Sequence, residues 1–379
     1  MSLRIAVLTP IPTPYRDPFW QRLGDREDIA LRVLFCAAGK ADRPWTAAWG
    51  ETLDAWLLPG RNLLGWRAAD ASCYWNPSYR RELEAFEPDA LLVGGYNHLT
   101  MHAGMRWARR NGVPFFLMCE TWRLRRGGPR AWLRDRVVRS VMERSAGVLT
   151  TGQRARRFVA HYAGTSKPCM DLPNVPDVEA IRSAAPVSSA AKGKARVIFV
   201  GRFIPKKRVG DLVAAFAELP PALRERAQLE LVGDGDLRQE LQVDVARRGL
   251  EDRVRFRGFL QPDEVLEAYR GADIFVMPSS ETWGVAPIEA AASGLRVIVS
   301  DEVGCAEDLE RFTPLGTFPF GDVPALRGCL EKQLTEVLMN KSLSCGDWTD
   351  WTYDALADTT ASFLHESCRH SPPAHPSRT

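Results

Sequence analysis

The 379-residue chain predicts an α/β protein built from two parallel-sheet domains. Short apolar runs alternate with amphipathic segments along nearly its whole length. The alternation pauses once, at a stretch rich in Pro, Ser and Ala near the middle, and the chain is too long for one ordinary core. With 45% hydrophobic and 26% charged residues, the composition is that of a soluble globular protein. No apolar run approaches the ~18 residues of a membrane span. MSLRIAVLTP reads directly as a buried strand and not as a secretory leader. Cysteines at 36, 73, 119, 169, 305, 329, 345 and 368 are scattered, without a CxxC pair. That speaks against a zinc site or a disulfide scaffold and for a reducing cytoplasm.

In the first half RIAVLTP predicts a strand and DPFWQRLGD a helix opening. LRVLFCA and DALLVGG follow as strands, MHAGMRWARRNG as a helix ended by Gly112, then VPFFLMCE and GVLTTG as strands. LRDRVVRSVMERSA, between the last two, carries Val137, Val138, Val141 and Met142 at helical spacing. Residues 173–194 predict a linker between a domain at 1–172 and one at 195–348. The second set runs RVIFVGR, DLVAAFAELP, LELVGDG, LRQELQVDVARRG, VRFRGF, PDEVLEAYRG, DIFVMPS, a short helix and LRVIVSD. YDALADTTASFLHES predicts a last helix, within 351–368, and residues 369–379 a disordered tail. Ligands of such sheets bind outside the carboxyl ends of strands, so the loops after strands are where chemistry is sought.

Charge divides the halves. Residues 1–172 hold 26 Lys/Arg against 16 Asp/Glu, a balance of +10, while residues 173–379 hold 24 against 31, a balance of −7. Arg106 to Arg157 contains 14 basic residues against Glu120, Asp135 and Glu143. Such a region fits an anionic membrane surface, or else is a solvated arginine-rich helix face. Nine of the twelve tryptophans fall within residues 1–132, among them Trp45, Trp49, Trp56, Trp66 and Trp75. Aromatic faces bind sugars, but filling a core is the safer reading.

Two glutamates interrupt the small, apolar segment SSETWGVAPIEAAASG. Glu281 lies in the loop after a strand and Glu289 inside the following helix, whose first turn tolerates Pro287 and whose end is Gly294. Backbone N–H groups of Thr282, Trp283, Gly284 and Val285 can point at an anion there. An ionised carboxylate offers only acceptors, which suits a vicinal diol. A ribose and a hexose present such diols at the two ends of a sugar nucleotide. The alternative is two charged residues on an exposed helix edge. After RVIFV, the loop GRFIPKKR pairs Gly201 with Arg202, Lys206, Lys207 and Arg208, cations placed where a leaving diphosphate gains charge. LVGDGDL gives a further turn at Gly233. Asp234 and Asp236 in it resemble a metal-holding pair, but one short turn supplies few ligands, so no metal is expected. No GxGxxG follows a strand, which leaves a dehydrogenase without support.

Taken together these residues resemble glycosyltransferase family 4. ETWGVAPIE matches its E-x7-E element, GRFIPKK its Gly-Arg-x4-Lys loop and LVGDGDLRQEL its Gly-x-Gly turn. VRFRGFLQPDEVLEAYRGADIFVMPS and FPFGDVPALRGCL follow the family as well, and WTYDALADTTASFL resembles its last helix. The likeness is continuous over about 195 to 365 and weaker before it. It implies a GT-B fold of two facing Rossmann-like domains, the last helix completing the first. It also implies transfer of a hexosyl-type group from a nucleotide diphosphate sugar, with retention and without a metal or other cofactor. In that scheme Arg202 and Lys207 clamp the diphosphate, Glu289 binds the ribose and Glu281 the transferred sugar. Gly258 and Phe259 hold the base, and Gly201, Gly233 and Thr282 to Val285 line the donor.

The first half departs from the family twice. IPTPYR stands where many members carry a Gly-Gly pair, and LMCETW ends a strand where many carry a histidine. Glu120 is the nearest replacement, as a group that positions or deprotonates the acceptor hydroxyl, or else as a structural carboxylate beside Arg123, Arg125 and Arg126. Tyr15, Arg16, Asn97 and His98 are acceptor-side candidates, with His98 and His102 equally readable as packed or surface histidines. The expected acceptor is a lipid-linked saccharide or a small molecule, not a nucleic acid. The expected location is the cytoplasm, including peripheral attachment to the inner membrane face. A sugar-nucleotide 2-epimerase and a non-catalytic binding protein of the same fold are the alternatives.

Overall fold

A computed structural model describes residues 2–39, 52–65, 72–124, 127–183, 194–343 and 346–369. Trp45, Trp49, Trp66, Arg125, Arg126, Cys345, residues 184–193 of the predicted linker and residues 370–379 lie outside these. The chain divides into two compact units, residues 1–175 with 350–379, and residues 176–349.

In the first unit β1 (Leu3–Thr9) leads to α1 (Asp17–Gly24), β2 (Ile29–Phe35) and β3 (Ala55–Leu57). A hairpin of β4 (Arg61–Asn62) and β5 (Tyr74–Trp75) follows, then α2 (Tyr79–Phe86), β6 (Ala90–Val93) and α3 (Leu99–Arg110). After these come β7 (Phe115–Cys119), α4 (Pro129–Arg144), β8 (Gly147–Thr150), α5 (Gln153–Ala163) and β9 (Cys169–Asp171). The seven-stranded sheet has the order β3-β2-β1-β6-β7-β8-β9 with every pair parallel. Strands β6 and β8 are wholly buried, as continuous apolar runs covered on both faces must be.

The second unit opens with α6 (Val178–Ser183), so part of the stretch read as linker is helix. Then come β10 (Ala195–Val200), α7 (Val209–Ala217), α8 (Pro221–Arg224), β11 (Ala227–Val232), α9 (Arg238–Arg247), β12 (Val254–Gly258) and α10 (Pro262–Arg270). They are followed by β13 (Ile274–Met277), α11 (Val285–Ala292), β14 (Arg296–Ser300), α12 (Ala306–Leu309), β15 (Leu315–Phe318) and α13 (Val323–Leu338). Six parallel strands run in the order β12-β11-β10-β13-β14-β15. Val197 and Phe199 from β10, Phe216 from α7 and Leu330 from α13 meet in one core.

Helix α14 (Tyr353–Arg369) belongs to the first unit and packs on α1. Arg22 faces Asp354 at 3.3 Å, Arg26 pairs with Asp358, and His365 meets Asp28 at 3.0 Å. The Phe363 ring packs edge-on to Phe116, in space that a side chain at Gly147 would need.

Candidate functional site

Strand order in the second unit reverses between β10 and β13, and a crevice opens at such a switch point beyond the carboxyl ends. Three strand ends converge beside it. The N–H of Gly201 donates to the Val232 carbonyl at 3.0 Å, and that of Gly233 to the Gly258 carbonyl at 2.7 Å. A Cβ on Gly233 (φ 129°) would sit 2.0 Å from the Gly201 carbonyl oxygen, so only glycine fits. From this base the turn Pro205–Lys207 carries its lysines across to the loop after β13. Lys207 Nζ lies 2.8 Å from Glu281 Oε1, and Lys206 Nζ 3.6 Å from Oε2. Burial acts to raise the Glu281 carboxyl, but the two ammonium groups outweigh it and hold it below the usual carboxylate range. Arg202 is exposed in the same loop.

The Glu281 N–H donates to the Glu302 carbonyl at 3.0 Å, and the next residues cross tightly over a second glycine. A Cβ on Gly304 would lie 1.9 Å from the Thr282 carbonyl oxygen. Sequence reasoning missed Gly304, because its partner belongs to another loop. Gly284 (φ 109°) then starts α11, whose first-turn N–H groups have no carbonyl of their own helix behind them. The Trp283 indole is buried, so among the donor-binding expectations this residue has only its backbone to offer.

Glu289 sits deeper in α11, where its Oε2 accepts the Tyr269 hydroxyl at 3.3 Å. Burial pushes its carboxyl up, and the hydroxyl offsets this only in part. Two hydroxyl donors from a ligand would stabilise the charged form. Phe259, just beyond Gly258 (φ 73°), is 63% exposed, a free aromatic face at the end of β12. Asp234 is committed to the Gly235 N–H and to Arg238 Nη1, both at 2.8 Å, which leaves little of it for a metal.

The first unit reverses its strand order between β1 and β6. Tyr15 and Arg16 follow β1, Asn97 and His98 follow β6, and Glu120 follows β7. Arg16 is buried, and its guanidinium donates to the Asn174 side-chain oxygen and to the Leu172 carbonyl at 3.5 Å. Asn174 in turn donates from Nδ2 to Glu120 Oε1 at 2.8 Å, and Glu120 is exposed. Asn174, unnoticed as a site residue in the sequence, thus joins two that were expected. His98 is buried, packs on the Tyr74 ring at 4.9 Å between centroids, and accepts the Tyr74 N–H at Nδ1 (3.4 Å). It is a packed histidine, with little to offer an acceptor. Asn97 is exposed and Tyr15 half-buried. Trp56 and Trp75 are exposed, against the core reading of these tryptophans.

Both units are Rossmann-like, and together they define the GT-B class of fold. Residues 182–312 match the profile of the family described as Glycosyl transferases group 1. The chain is 30% identical over 254 residues to 2-deoxystreptamine glucosyltransferase from Streptomyces kanamyceticus, covering 62% of this chain and 65% of that one. It is 28% identical over 224 residues to phosphatidyl-myo-inositol mannosyltransferase from Mycobacterium leprae, covering 58% of each. The matches therefore span less than two thirds of both relatives. Among solved structures, Anabaena HepE in complex with UDP and glucose aligns over 96% of this chain and all of its own, with a TM-score of 0.65 at 16% identity. The lipopolysaccharide outer core galactosyltransferase WaaB, in its apo form, aligns over 96% and 99%, with a TM-score of 0.70 at 14% identity. At such identities the likeness is one of fold.

Proposed function

We propose that the protein is a retaining glycosyltransferase that takes a hexosyl-type group from a nucleotide diphosphate sugar to a hydroxyl acceptor in the cytoplasm. One observation carries this reading: Glu281, Lys207 and the start of α11 share the switch-point crevice, with Glu289 one step further along the same helix. Cations and helix N–H groups fit a diphosphate, and the two carboxylates fit the hydroxyls at its two ends. In this reading Lys207 exchanges part of its hold on Glu281 for the diphosphate. Arg202 turns in beside it, so the departing charge is stabilised by protein cations without a metal. Glu281 accepts from the sugar hydroxyls, Glu289 from the ribose, and the Phe259 face stacks on the base. The acceptor attacks from the side the diphosphate leaves, and that diphosphate takes its proton. Glu120, oriented by Asn174, is our candidate for contact with the acceptor. Relatives that act on an aminocyclitol and on a phosphoinositide support the hydroxyl acceptor class.

The test is thermal unfolding of the purified chain with UDP-, GDP-, ADP- and dTDP-sugars, beside Glu289→Ala. One donor should raise the melting temperature of the wild type by several degrees and leave the variant unmoved. A panel without any shift, or equal shifts in both proteins, would sink the reading.

A further inference from the structure

Helix α4 carries two apolar stripes where a helix covering a sheet needs one. Val138 and Met142 are buried against the sheet. Leu133, Val137 and Val141 run beside them on an adjoining face, so the four-residue stripe read from the sequence splits in two. Leu133 is 60% exposed, Val137 40%, and the neighbouring Trp132 61%. This second stripe forms one wall of a groove of about 390 Å³ between α3 and α4, with Met105 and Phe115 opposite. Arg106, Arg109, Arg136 and Arg144 also line it, and no carboxylate does. Among the described residues none of these four arginines is ion-paired, although Arg22 of α1, Arg80 and Arg81 of α2, and Arg238 and Arg247 of α9 each face a carboxylate. Arg136 lies over the Trp132 ring at 5.0 Å. His102, also in the groove, is pushed down by burial and by the Arg106 charge.

An exposed apolar ridge beside four unneutralised guanidinium groups is complementary to a surface that is apolar inside and anionic outside. We propose that the α3–α4 groove seats anionic phospholipid of a bilayer. Trp132, Leu133 and Val137 would enter the acyl boundary, and the arginines would hold lipid phosphates in and around the groove. Arginine suits this role because its planar fork binds phosphate oxygens in pairs. No described helix is long and apolar enough to cross a membrane, so attachment of this kind would be peripheral. The groove lies wholly within the first unit, apart from the donor residues of the second, so the proposal stands or falls without the donor reading.

Cosedimentation of the purified chain with phosphatidylglycerol/phosphatidylcholine vesicles, against phosphatidylcholine alone, tests it. The wild type should sediment with the anionic vesicles only, and its tryptophan emission should shift to the blue. Arg136→Ala with Arg144→Ala should weaken binding about fivefold per arginine. Trp132→Ser with Leu133→Ser should lose the emission shift and about tenfold in binding. Unchanged melting of all variants without vesicles controls for folding. Three results would overturn the proposal. One is no preference for anionic vesicles, and another is variants that bind like the wild type. The third is arginine-dependent binding indifferent to Trp132 and Leu133, with a soluble polyanion competing as well as the vesicles, which marks bare charge attraction.

Discussion

The two switch points invite comparison because the same topology is finished in two ways. Beyond β10 and β13 the loops are held by backbone: glycines so close that a methyl group cannot be added, with lysines and a glutamate facing across. Beyond β1 and β6 the strand ends also share backbone bonds, Gly94 N–H donating to the Leu8 carbonyl at 2.8 Å, but here a side-chain chain, Arg16–Asn174–Glu120, adds the tie from the first loop to segments far along the sequence. A crevice built on backbone contacts is specified by short motifs. One built on side-chain partnerships is specified by residues that no motif brings together.

Breaking the backbone device has the largest expected effect. Gly233→Ala forces a Cβ against the Gly201 carbonyl at positive φ and should cost roughly 3–5 kcal/mol, read by urea unfolding. Gly249→Ala, at positive φ but in open space, should cost only about 1 kcal/mol. If the two cost the same, close packing of strand ends is not what sets the second unit apart.

In the first unit Asn174→Ala should cost about 2–3 kcal/mol, because it strips a partner from the buried Arg16 guanidinium. The same variant should leave donor-induced stabilisation intact, which separates the two crevices. The Lys207–Glu281 pair is measurable by a double-mutant cycle of Lys207→Met and Glu281→Gln. We expect a coupling of about 1–2 kcal/mol at pH 7 that shrinks as Glu281 is protonated in acid. A coupling that ignores pH would mean that the pair is not ionic.

Asp17 gives the smallest effect and a sign of its own. Burial lifts its carboxyl to about 6, above the unfolded value, although the Thr13 N–H donates to it at 3.1 Å. A raised carboxyl favours the proton-bound folded state. Stability should therefore be fullest below about pH 4 and fall by about 1–2 kcal/mol as pH rises through 6. Asp17→Asn can keep the Thr13 contact and should remove that slope, which thermal melts from pH 4 to 7.5 would show.

The same contrast explains what could be read in advance. Strands such as RIAVLTP and DIFVMPS were legible because a strand buried on both faces is a continuous apolar run. The meeting of Lys207 with Glu281 could be anticipated because each sits in a short contiguous loop segment directly after a strand of the same sheet. The edge strands β3 to β5 were not, since two or three residues carry no period. Asn174, Gly304 and the exposed face of α4 escaped for a different reason. Each takes its role from a neighbour supplied by another part of the chain, and the pattern that places Val138 inside places Val137 there equally well.

Helix α14 has a consequence for how the molecule is made. The second unit is an insertion within the first, so synthesis delivers residues 1–175 long before residues 350–369 that cover α1 and Phe116. Until then the earliest part of the chain must wait with one flank uncovered, while the later part, contiguous in sequence, is free to fold first. Residues 350–369 thus emerge after the whole of the second unit, and a chain cut short before residue 350 carries every element of the second unit but leaves α1 and Phe116 of the first uncovered.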